Sequence, residues 1–329
     1  MTEREISRPS VSIIVPTYNR DKFLVDALES VLRNQLTHAL EIIVVDDASS
    51  DNTASVLEQY GTAIRTKRLN RNGGAAEARN EGLKLATGKY VKFLDSDDVL
   101  CSDTLQDEIQ QANDSAADML LSGWGTVKLD DNNRPIMGSE RTFEPPEMVP
   151  MPESVLEGKA VPTSAVLYRR SYIEGLRWSS AVRHPDDWYF FCLAALRGGK
   201  IVRRDRVSYW LRDHHGTRAS SESMLSYARS HHVVLRAIEA VLEQQNLNTP
   251  SRRKMLAQYF YKQIYVLALY APREFERAAD HILLLDPGFC PVTFEGKMYM
   301  RLFARILGFR RAVLIYSKVK LALFPGRCR

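Results

Sequence analysis

Three segments near the start of the chain decide its fold: VSIIVPTYNR at residues 11–20, EIIVVDDASSD at 41–51, and NGGAAEARNEGLKLATGKYVKFLDSDD at 72–98. Each contains a short run of β-branched and other apolar residues that is typical of a buried strand, and each run leads into polar residues. Between the runs, apolar residues recur at helical spacing. This alternation predicts an α/β fold with a mostly parallel sheet and helices on both faces.

The predicted elements change in kind along the chain. Strands are predicted at Val11 to Val15, Glu41 to Val45, Ile64 to Leu69, Lys89 to Leu94, Met119 to Leu129, Val161 to Tyr168 and Val207 to Leu211. Helices are predicted at Phe23 to Leu32, Ser49 to Tyr60, Ala75 to Ala86, Pro185 to Arg197, Met224 to Gln245, Arg252 to Tyr270 and Arg273 to Leu285, and again from Phe294 onward. The change from a mixed to a helical pattern predicts two domains, at residues 1–220 and 221–329.

The composition is that of an ordinary globular protein. Of the 329 residues, 45% are apolar and 26% are charged, which excludes a disordered or fibrous chain. No apolar run approaches the roughly 20 residues that cross a bilayer, and the charged first residues lack the apolar core of a signal peptide. Four cysteines lie far apart and fit free thiols in a reducing compartment. A cytoplasmic location is therefore expected.

The positive charge is concentrated at one end of the chain. Residues 296–329 contain nine Lys or Arg and no acid, whereas the remaining residues contain 36 basic and 40 acidic side chains. The net charge of +5 therefore does not predict a nucleic-acid-binding surface. The apolar residues of this tail that recur at helical spacing are Met298, Leu302, Ile306, Phe309 and Val313. Two interpretations stay open: a helix packed on the catalytic domain with a solvated basic face, or a basic amphipathic helix at an anionic membrane surface.

Four polar clusters occur where predicted strands end or a predicted helix begins. They are Pro16 to Arg20, Asp46 to Asp51, Asn72 to Asn80 and Asp95 to Asp98. Ligands of open α/β sheets bind outside the carboxyl ends of the strands, so these clusters form the candidate site. Each cluster alone is equally typical of a turn or a helix cap. Their occurrence together favours a ligand site.

The last of these clusters indicates a divalent cation. The carboxylates of Asp95, Asp97 and Asp98 would repel one another unless a cation neutralised them. Oxygen ligands at positions i and i+2 of one turn suit Mg²⁺ or Mn²⁺, which also bind the oxygens of a diphosphate. Arg79, in a helix opened by glycines, is placed to face anionic oxygens. These residues predict a site for an anionic, metal-bound ligand.

The quoted segments closely resemble the inverting family-2 glycosyltransferases, which use nucleotide-diphosphate sugars. The matching motifs span about Val11 to Asp98, and a weaker resemblance continues to about Ser220. The resemblance implies a glycosyltransferase A-type fold, here followed by a C-terminal helical region. The residues that would bind the nucleotide sugar are Pro16, Thr17, Tyr18, Asn19, Asp47, Arg79 and Ser96. Asp47 would accept a hydrogen bond from the base, and Asp95 and Asp97 would form the metal site.

Two later features match the family less strictly. The sequence DDW at residues 186–188 stands where the family usually has Glu-Asp at a helix start, which implies that Asp187 is the catalytic base. Asp186 replaces the commoner Glu, and adjacent carboxylates at a helix start are also an acceptable cap. The sequence LRDH at residues 211–214 resembles a late Arg-x-His element of the family, so His214 is the expected third metal ligand. A purely structural histidine stays open as an alternative.

The resemblance therefore implies a metal-dependent inverting glycosyltransferase whose donor is a nucleotide-diphosphate sugar, in the first place a UDP-sugar. The expected cofactor is Mg²⁺ or Mn²⁺. The expected acceptor is a glycan or a lipid-linked glycan, as in surface polysaccharide assembly, and the basic tail favours an enzyme peripheral to the inner face of a membrane. No nucleic-acid partner is expected. Two alternatives stay open: a nucleotidyltransferase, which also uses paired aspartates and a metal, and a catalytically silent protein that binds a nucleotide sugar.

Overall fold

The computed structural model describes residues 9–34, 40–182, 184–214, 223–290 and 307–323. The chain forms two compact units. The first takes in residues 1–151 and 159–217, and the second takes in residues 152–158 and 218–329. All strands of the described residues lie in the first unit, whereas the described part of the second unit is helical.

The first unit is built on a nine-stranded sheet. In chain order its strands are β1 (Val11–Thr17), β2 (Leu40–Asp46), β3 (Arg65–Arg68), β4 (Tyr90–Phe93), β5 (Val99–Leu100), β6 (Met119–Lys128), β7 (Arg141–Phe143), β8 (Val166–Arg169) and β9 (Ile201–Asp213). Their order across the sheet is β3-β2-β1-β4-β8-β6-β9-β5, with β7 paired to β6. Strands β1 to β4 pair in parallel, whereas β8 is antiparallel to both β4 and β6. The α/β class predicted from the sequence is confirmed, and its parallel part is the half that contains the quoted segments.

Proline explains where two strand boundaries differ from the prediction. β1 continues beyond Val15 to Thr17 because its pairing with β2 continues, while its pairing with β4 ends at Ile14. Pro16 thus lies where the strand has one partner only, as a residue without an N–H requires. β8 begins at Val166 and not at Val161, because a short 3₁₀ turn at Thr163–Ala165 follows Pro162.

The helices flank the sheet in the first unit and form most of the second. In chain order they are α1 (Asp21–Leu32), α2 (Thr53–Glu58), α3 (Ala75–Leu85), α4 (Thr104–Asp114), α5 (Glu153–Leu156), α6 (Asp186–Ala195), α7 (Met224–Gln244), α8 (Pro250–Ile264), α9 (Leu267–Tyr270), α10 (Pro272–Leu285) and α11 (Phe309–Leu323). One face of α1 is buried, and its apolar residues are Phe23, Leu24, Ala27, Leu28 and Val31. The single helix predicted at Arg252 to Tyr270 is two helices, the first of which begins after the side-chain cap of Thr249.

The last helix is packed within the second unit. Phe309, Ala312 and Val313 are buried, and the Phe309 ring lies 4.9 Å from the ring of Phe289, centroid to centroid. This part of the tail is therefore a packed helix, and the contacts shown are with other residues of the second unit, whereas packing on the catalytic domain stays a prediction. The other apolar tail residues of the predicted stripe, Met298, Leu302 and Ile306, lie outside the described residues. Among the helices that the structure describes, none has the length and apolar character needed to cross a bilayer.

Replacing Phe309 with Ala should destabilise the second unit by about 3–5 kcal/mol, because the change leaves a cavity among buried aromatic rings. Chemical denaturation followed by far-ultraviolet circular dichroism measures this loss. Val319→Ala is the matched control, since Val319 lies on the same helix with 48% of its surface exposed. Equal stabilities of the two variants would contradict the packed position of α11.

Candidate active site

The carboxyl ends of β1 and β2 are tied to the start of α3. Asp47 is buried directly after β2, and its two carboxylate oxygens accept backbone N–H groups of Gly73 and Gly74, each at 2.7 Å. Gly74 precedes α3 with φ of +86°, a conformation that favours glycine. Burial raises the pKa of Asp47 although both backbone donors oppose the change. Each carboxylate oxygen keeps a second lone pair, so Asp47 can still accept a hydrogen bond from a ligand.

The predicted nucleotide residues of β1 differ in exposure. Pro16 and Thr17 belong to the strand, and the Thr17 hydroxyl is buried without a hydrogen-bond partner in the described part of the chain. Tyr18 is 42% exposed beside it. Asn19 adopts φ of +51° and joins the loops after β1 and β2, because its backbone N–H donates to Ser49 and its side-chain oxygen accepts from Ser50. The strand end therefore presents one buried hydroxyl and one exposed aromatic ring.

Arg79 of α3 is buried and contacts Asp95, Asp186 and Trp178, and we call these four residues the Arg79 cluster. One terminal nitrogen of Arg79 donates to Asp95 at 2.7 Å and the other donates to Asp186 at 2.5 Å. The guanidinium carbon lies 4.4 Å from the centroid of the Trp178 ring. Burial disfavours the charged form of the guanidinium, but the negative charges of Asp95 and Asp186 outweigh this effect and raise the pKa of Arg79. Arg79 therefore joins the loop after β4 to the start of α6.

Asn80, the next residue of α3, holds the aromatic member of this cluster. Its side-chain amide donates to the carbonyl of Trp178 and accepts from the backbone N–H of Trp178, both at 2.9 Å. The Trp178 ring also stacks on Phe190 of α6, with centroids 4.5 Å apart. Sequence reasoning missed Trp178, since nothing in its local sequence marks it. Only its contacts with Arg79 and Asn80 connect it to the site.

The loop of residues 95–98, which we call the aspartate loop, sends its carboxylates in different directions. Asp95 contacts Arg79, whereas Asp97 lies 3.0 Å from the Nε2 atom of His214 and 3.4 Å from the Nε atom of Arg20. Burial opposes ionisation of Asp97, but His214 and Arg20 outweigh it and lower its pKa. Asp98 is buried, and burial together with the neighbouring carboxylates of the loop raises its pKa. Ser96 is also buried.

His214 is fixed at the end of β9. Its imidazole is 1% exposed and stacks on the Phe23 ring, with centroids 4.5 Å apart. Arg212 of the same strand reaches the aspartate loop as well, through a side-chain hydrogen bond to the Asp97 carbonyl at 2.5 Å and a backbone N–H donated to Asp98. The expected ligand pair Asp97 and His214 is thus brought together across 117 positions of sequence.

The fit of these residues to Mg²⁺ or Mn²⁺ rests on Asp97 and His214. A carboxylate oxygen facing an imidazole nitrogen is a donor set that suits Mn²⁺, and the remaining positions of the metal can be taken by water and a diphosphate. Asp95 contacts Arg79, and the described side chains contain no cluster of three or more His, Cys, Asp or Glu suited to one ion. Two of the three predicted ligands therefore lie together, and the third lies next to them on the same loop.

The two carboxylates at the start of α6 have different surroundings. Asp186 is paired with Arg79, whereas Asp187 accepts a hydrogen bond from the Trp188 backbone N–H at 2.7 Å. The residue before the helix, Pro185, forms no side-chain cap, but both carboxylates lie in the first turn of α6, so a stabilising role at the helix start stays open beside the catalytic one. Burial and the charge of Asp186 raise the pKa of Asp187 to about 6. Asp187 is thus a carboxylate poised to take a proton near neutral pH.

A family model described as glycosyl transferase family 2 matches residues 12–176, which is half of the chain. The chain belongs to this family. The matched range includes the aspartate loop and Arg79 but ends before α6 and β9. The matched range thus contains the candidate nucleotide-binding residues and the aspartate loop. Asp187 and His214 lie outside it, and their place in the candidate site rests on the geometry described above.

Relatives of this family-2 chain share only part of its length. Glycosyltransferase GlyG of Streptococcus pneumoniae is 32% identical over 126 residues, which are 37% of this chain and 42% of that protein. Glycosyltransferase EpsJ of Bacillus subtilis is 31% identical over 216 residues, which are 62% of this chain and 61% of that protein. The chain thus spans about half the length of these curated relatives.

Solved structures show the same fold at lower identity. The crystal structure of Staphylococcus aureus TarS 1–349 in complex with UDP has a TM-score of 0.67 at 22% identity, covering 97% of this chain and 92% of that one. A mannosyltransferase of Pyrobaculum calidifontis in complex with GDP-Man and Mn²⁺ has a TM-score of 0.51 at 19% identity, covering 95% and 87%. These likenesses establish the glycosyltransferase A-type fold of this family-2 protein.

Arg79→Gln should cost about 3 kcal/mol of unfolding free energy, because it leaves the carboxylates of Asp95 and Asp186 without their buried cation. Burial and the charge of Asp97 raise the pKa of Asp95 while Arg79 opposes them, so without Arg79 the charged form of Asp95 destabilises the fold. The loss should therefore be largest near pH 8 and should shrink as the pH falls toward about 5.

Urea denaturation of both proteins across this pH range measures the difference. Arg71→Gln is the matched control, because Arg71 is 80% exposed and lies 3.9 Å from Glu77. A loss for Arg79→Gln that does not depend on pH would contradict the electrostatic account of the Arg79 cluster.

Proposed function

We propose that this chain transfers a sugar from a nucleoside diphosphate sugar to an acceptor hydroxyl with inversion at the anomeric carbon. The observation that carries the proposal is the separation of the two α6 carboxylates: Asp186 is neutralised by Arg79, and Asp187 keeps a pKa near 6. A carboxylate with that pKa is suited to general-base catalysis near neutral pH. Membership of glycosyl transferase family 2 supports sugar transfer as the reaction.

In the proposed reaction Asp187 acts on the acceptor. The Asp187 carboxylate takes the proton of the acceptor hydroxyl as the oxygen forms a bond to the anomeric carbon. The bond from that carbon to the diphosphate oxygen breaks on the opposite face, and the nucleoside diphosphate leaves with the electron pair. The proton on Asp187 then passes to solvent. One displacement inverts the configuration, and no covalent enzyme intermediate is required.

The donor would bind along the ends of β1 and β2. We assign the base and ribose to the surface around Thr17, Tyr18 and Asp47, where a buried hydroxyl, an exposed ring and a carboxylate with spare acceptor capacity lie. Pro16 and Asn19 shape this strand end, and Ser96 lies in the aspartate loop beside the diphosphate position. A UDP-sugar is the proposed donor, which the UDP complex of TarS supports.

Arg79 has a different proposed role from the one its motif implies. Both terminal nitrogens of its guanidinium are paired with carboxylates of this chain. We therefore propose that Arg79 positions Asp95 and Asp186, and that it acts on the donor through the aspartate loop.

We propose Asp97 and His214 as holders of Mg²⁺ or Mn²⁺, with Asp95 beside them. When bound, such a cation would offset the negative charge that develops on the leaving diphosphate. Arg20, which contacts Asp97, adds a fixed positive charge on the same side of the loop.

The proposed acceptor follows from the relatives of the chain, and the proposed location follows from its basic tail. A polysaccharide or lipid-linked glycan is the proposed acceptor, supported by a 30% identical relative that takes part in succinoglycan biosynthesis in Rhizobium meliloti. Association with an anionic membrane surface at the inner face stays a prediction of the basic tail. The nucleotidyltransferase alternative loses its basis, because the family accounts for the paired aspartates. A silent nucleotide-sugar-binding protein would have no use for the raised pKa of Asp187.

Asp187→Asn should lower turnover by about 10²–10⁴-fold, because Asn keeps the shape of the side chain but cannot take a proton. The same substitution should raise the melting temperature at neutral pH. The folded-state pKa of Asp187 lies above its unfolded value, so its contribution to stability is lost as the pH rises through about 6. Screening UDP-sugars for transfer or hydrolysis provides the turnover assay, and calorimetry provides the melting temperature.

The matched control for this experiment is Asp186→Asn. Removal of the Asp186 charge should lower the pKa of Asp187, so the acidic limb of the pH–rate profile, expected near pH 6, should move to lower pH. Turnover of Asp187→Asn within a few-fold of wild type would place the base elsewhere.

Chelation by EDTA should abolish transfer, and Mg²⁺ or Mn²⁺ should restore it. Binding of Mn²⁺ in the presence of UDP, followed by electron paramagnetic resonance, should be lost in Asp97→Ala. Glu77→Ala is the control, since Glu77 is an acid of α3 outside the aspartate loop. Full turnover with chelator present would contradict the proposed metal.

A further inference from the structure

A cavity of about 530 Å³ lies in the first unit beside the aspartate loop. Asp26 of α1 and Arg33, which directly follows that helix, line the cavity together with Trp210 and Arg212 of β9. Glu140, just before β7, also lines it. None of these residues was assigned to the donor, the metal or the base. The volume falls within the usual range of small-molecule sites, about 300–1,000 Å³.

An aromatic ring is fixed in the wall of this cavity. Trp210 packs on the buried side chains of Phe23, Val127 and Leu129. Its ring also lies against the backbone of Gly125, where an added Cβ would come within 2.3 Å of a ring carbon. Glycine at this position therefore makes room for the indole. The negative face of an indole attracts weakly polarised C–H groups, which sugar rings present on one face.

The charges around the cavity balance. The side chains of Asp26 and Glu140 supply two negative charges, and those of Arg33 and Arg212 supply two positive charges. A phosphate or nucleotide would be favoured by an excess of positive charge. A neutral ligand with several hydroxyl groups instead uses both donors and acceptors. A fixed aromatic ring with balanced polar groups is thus suited to a neutral sugar unit.

One wall residue is shared with the proposed active site. The Arg212 guanidinium donates to Asp26 at 2.6 Å and to the carbonyl of Asp97 at 2.5 Å. Its side chain is only 6% exposed, so both contacts are held in place. A ligand in the cavity would therefore lie next to the aspartate loop.

We propose that this cavity binds a neutral sugar unit of the acceptor glycan, remote from the hydroxyl that reacts. The inference rests on the proposed function, because it identifies the ligand as part of a glycosyl acceptor. Binding of a remote unit would hold the acceptor chain while its reactive end reaches Asp187. The substrate class is therefore an oligosaccharide longer than one unit.

Saturation-transfer NMR with UDP present tests the cavity directly. The probes are methyl β-glucoside, methyl β-galactoside and N-acetylglucosamine, each added alone. At least one should receive saturation from the wild-type protein. Ser102→Trp should abolish this signal, because Ser102 is an exposed residue of the cavity wall and the indole would fill the space. Met137→Trp is the matched control, since Met137 is 87% exposed and does not line the cavity.

A second variant keeps the test independent of the folding of Ser102→Trp. Glu140→Gln should weaken sugar binding by about tenfold, because a hydrogen bond to a charged acceptor is lost. No signal from any sugar, or a signal that both cavity variants leave unchanged, would overturn the inference. Displacement of the bound sugar by inorganic phosphate would also overturn the inference.

The UDP-induced rise in melting temperature separates this inference from the proposed function. If UDP stabilises the protein but no sugar binds, the cavity inference fails and the proposed function stands. If a sugar binds in the cavity but no nucleotide sugar is turned over, the proposed function fails, and the cavity remains a sugar site without an acceptor role.

Discussion

A guanidinium that is taken out of water must be neutralised, and the candidate active site is arranged around this requirement at Arg79. Its two terminal nitrogens are met by Asp95, which follows β4, and by Asp186, which begins α6. The aromatic ring of Trp178 covers the cation, and Asn80 holds that ring through two backbone hydrogen bonds. The aspartate loop and the start of α6, which carries the proposed base, are thereby fixed to the same side chain.

The ion pair between Arg79 and Asp186 also separates the proposed roles of Asp186 and Asp187. The negative charge of Asp186 is neutralised by Arg79, so Asp186 is not the proposed base. Asp187 lies one residue further, half-buried and close to the charge of Asp186, and both effects raise its pKa to about 6. Residue 186 is Asp where the family usually has Glu, and this difference keeps the negative charge that pairs with Arg79. A neutral residue there would leave the guanidinium with a single carboxylate partner.

A second buried arginine performs a similar task on the other side of the aspartate loop. Arg212 joins β9 to Asp97 and to Asp26 of α1, and it lies two residues before His214, which contacts Asp97 as well. The same residue forms part of the wall of the cavity assigned to the acceptor. The aspartate loop is thus contacted by two buried arginines: Arg79 binds Asp95, and Arg212 binds Asp97 and Asp98.

The sequence by itself determined the α/β class, the parallel strands β1 to β4 and the positions of the polar clusters, because period-two and helical spacing are local properties of the chain. It also marked Asp95, Asp97, Arg79 and Asp187 as residues of one site. It could not reveal that Arg79 pairs with Asp186, which lies 107 positions away, or that the ring of Trp178 covers the guanidinium, since nothing local marks these partners. The tertiary structure alone decided the pairing of Asp97 with His214 and the different surroundings of Asp186 and Asp187. Burial and charge act through space, and the sheet sets which distant residues share that space.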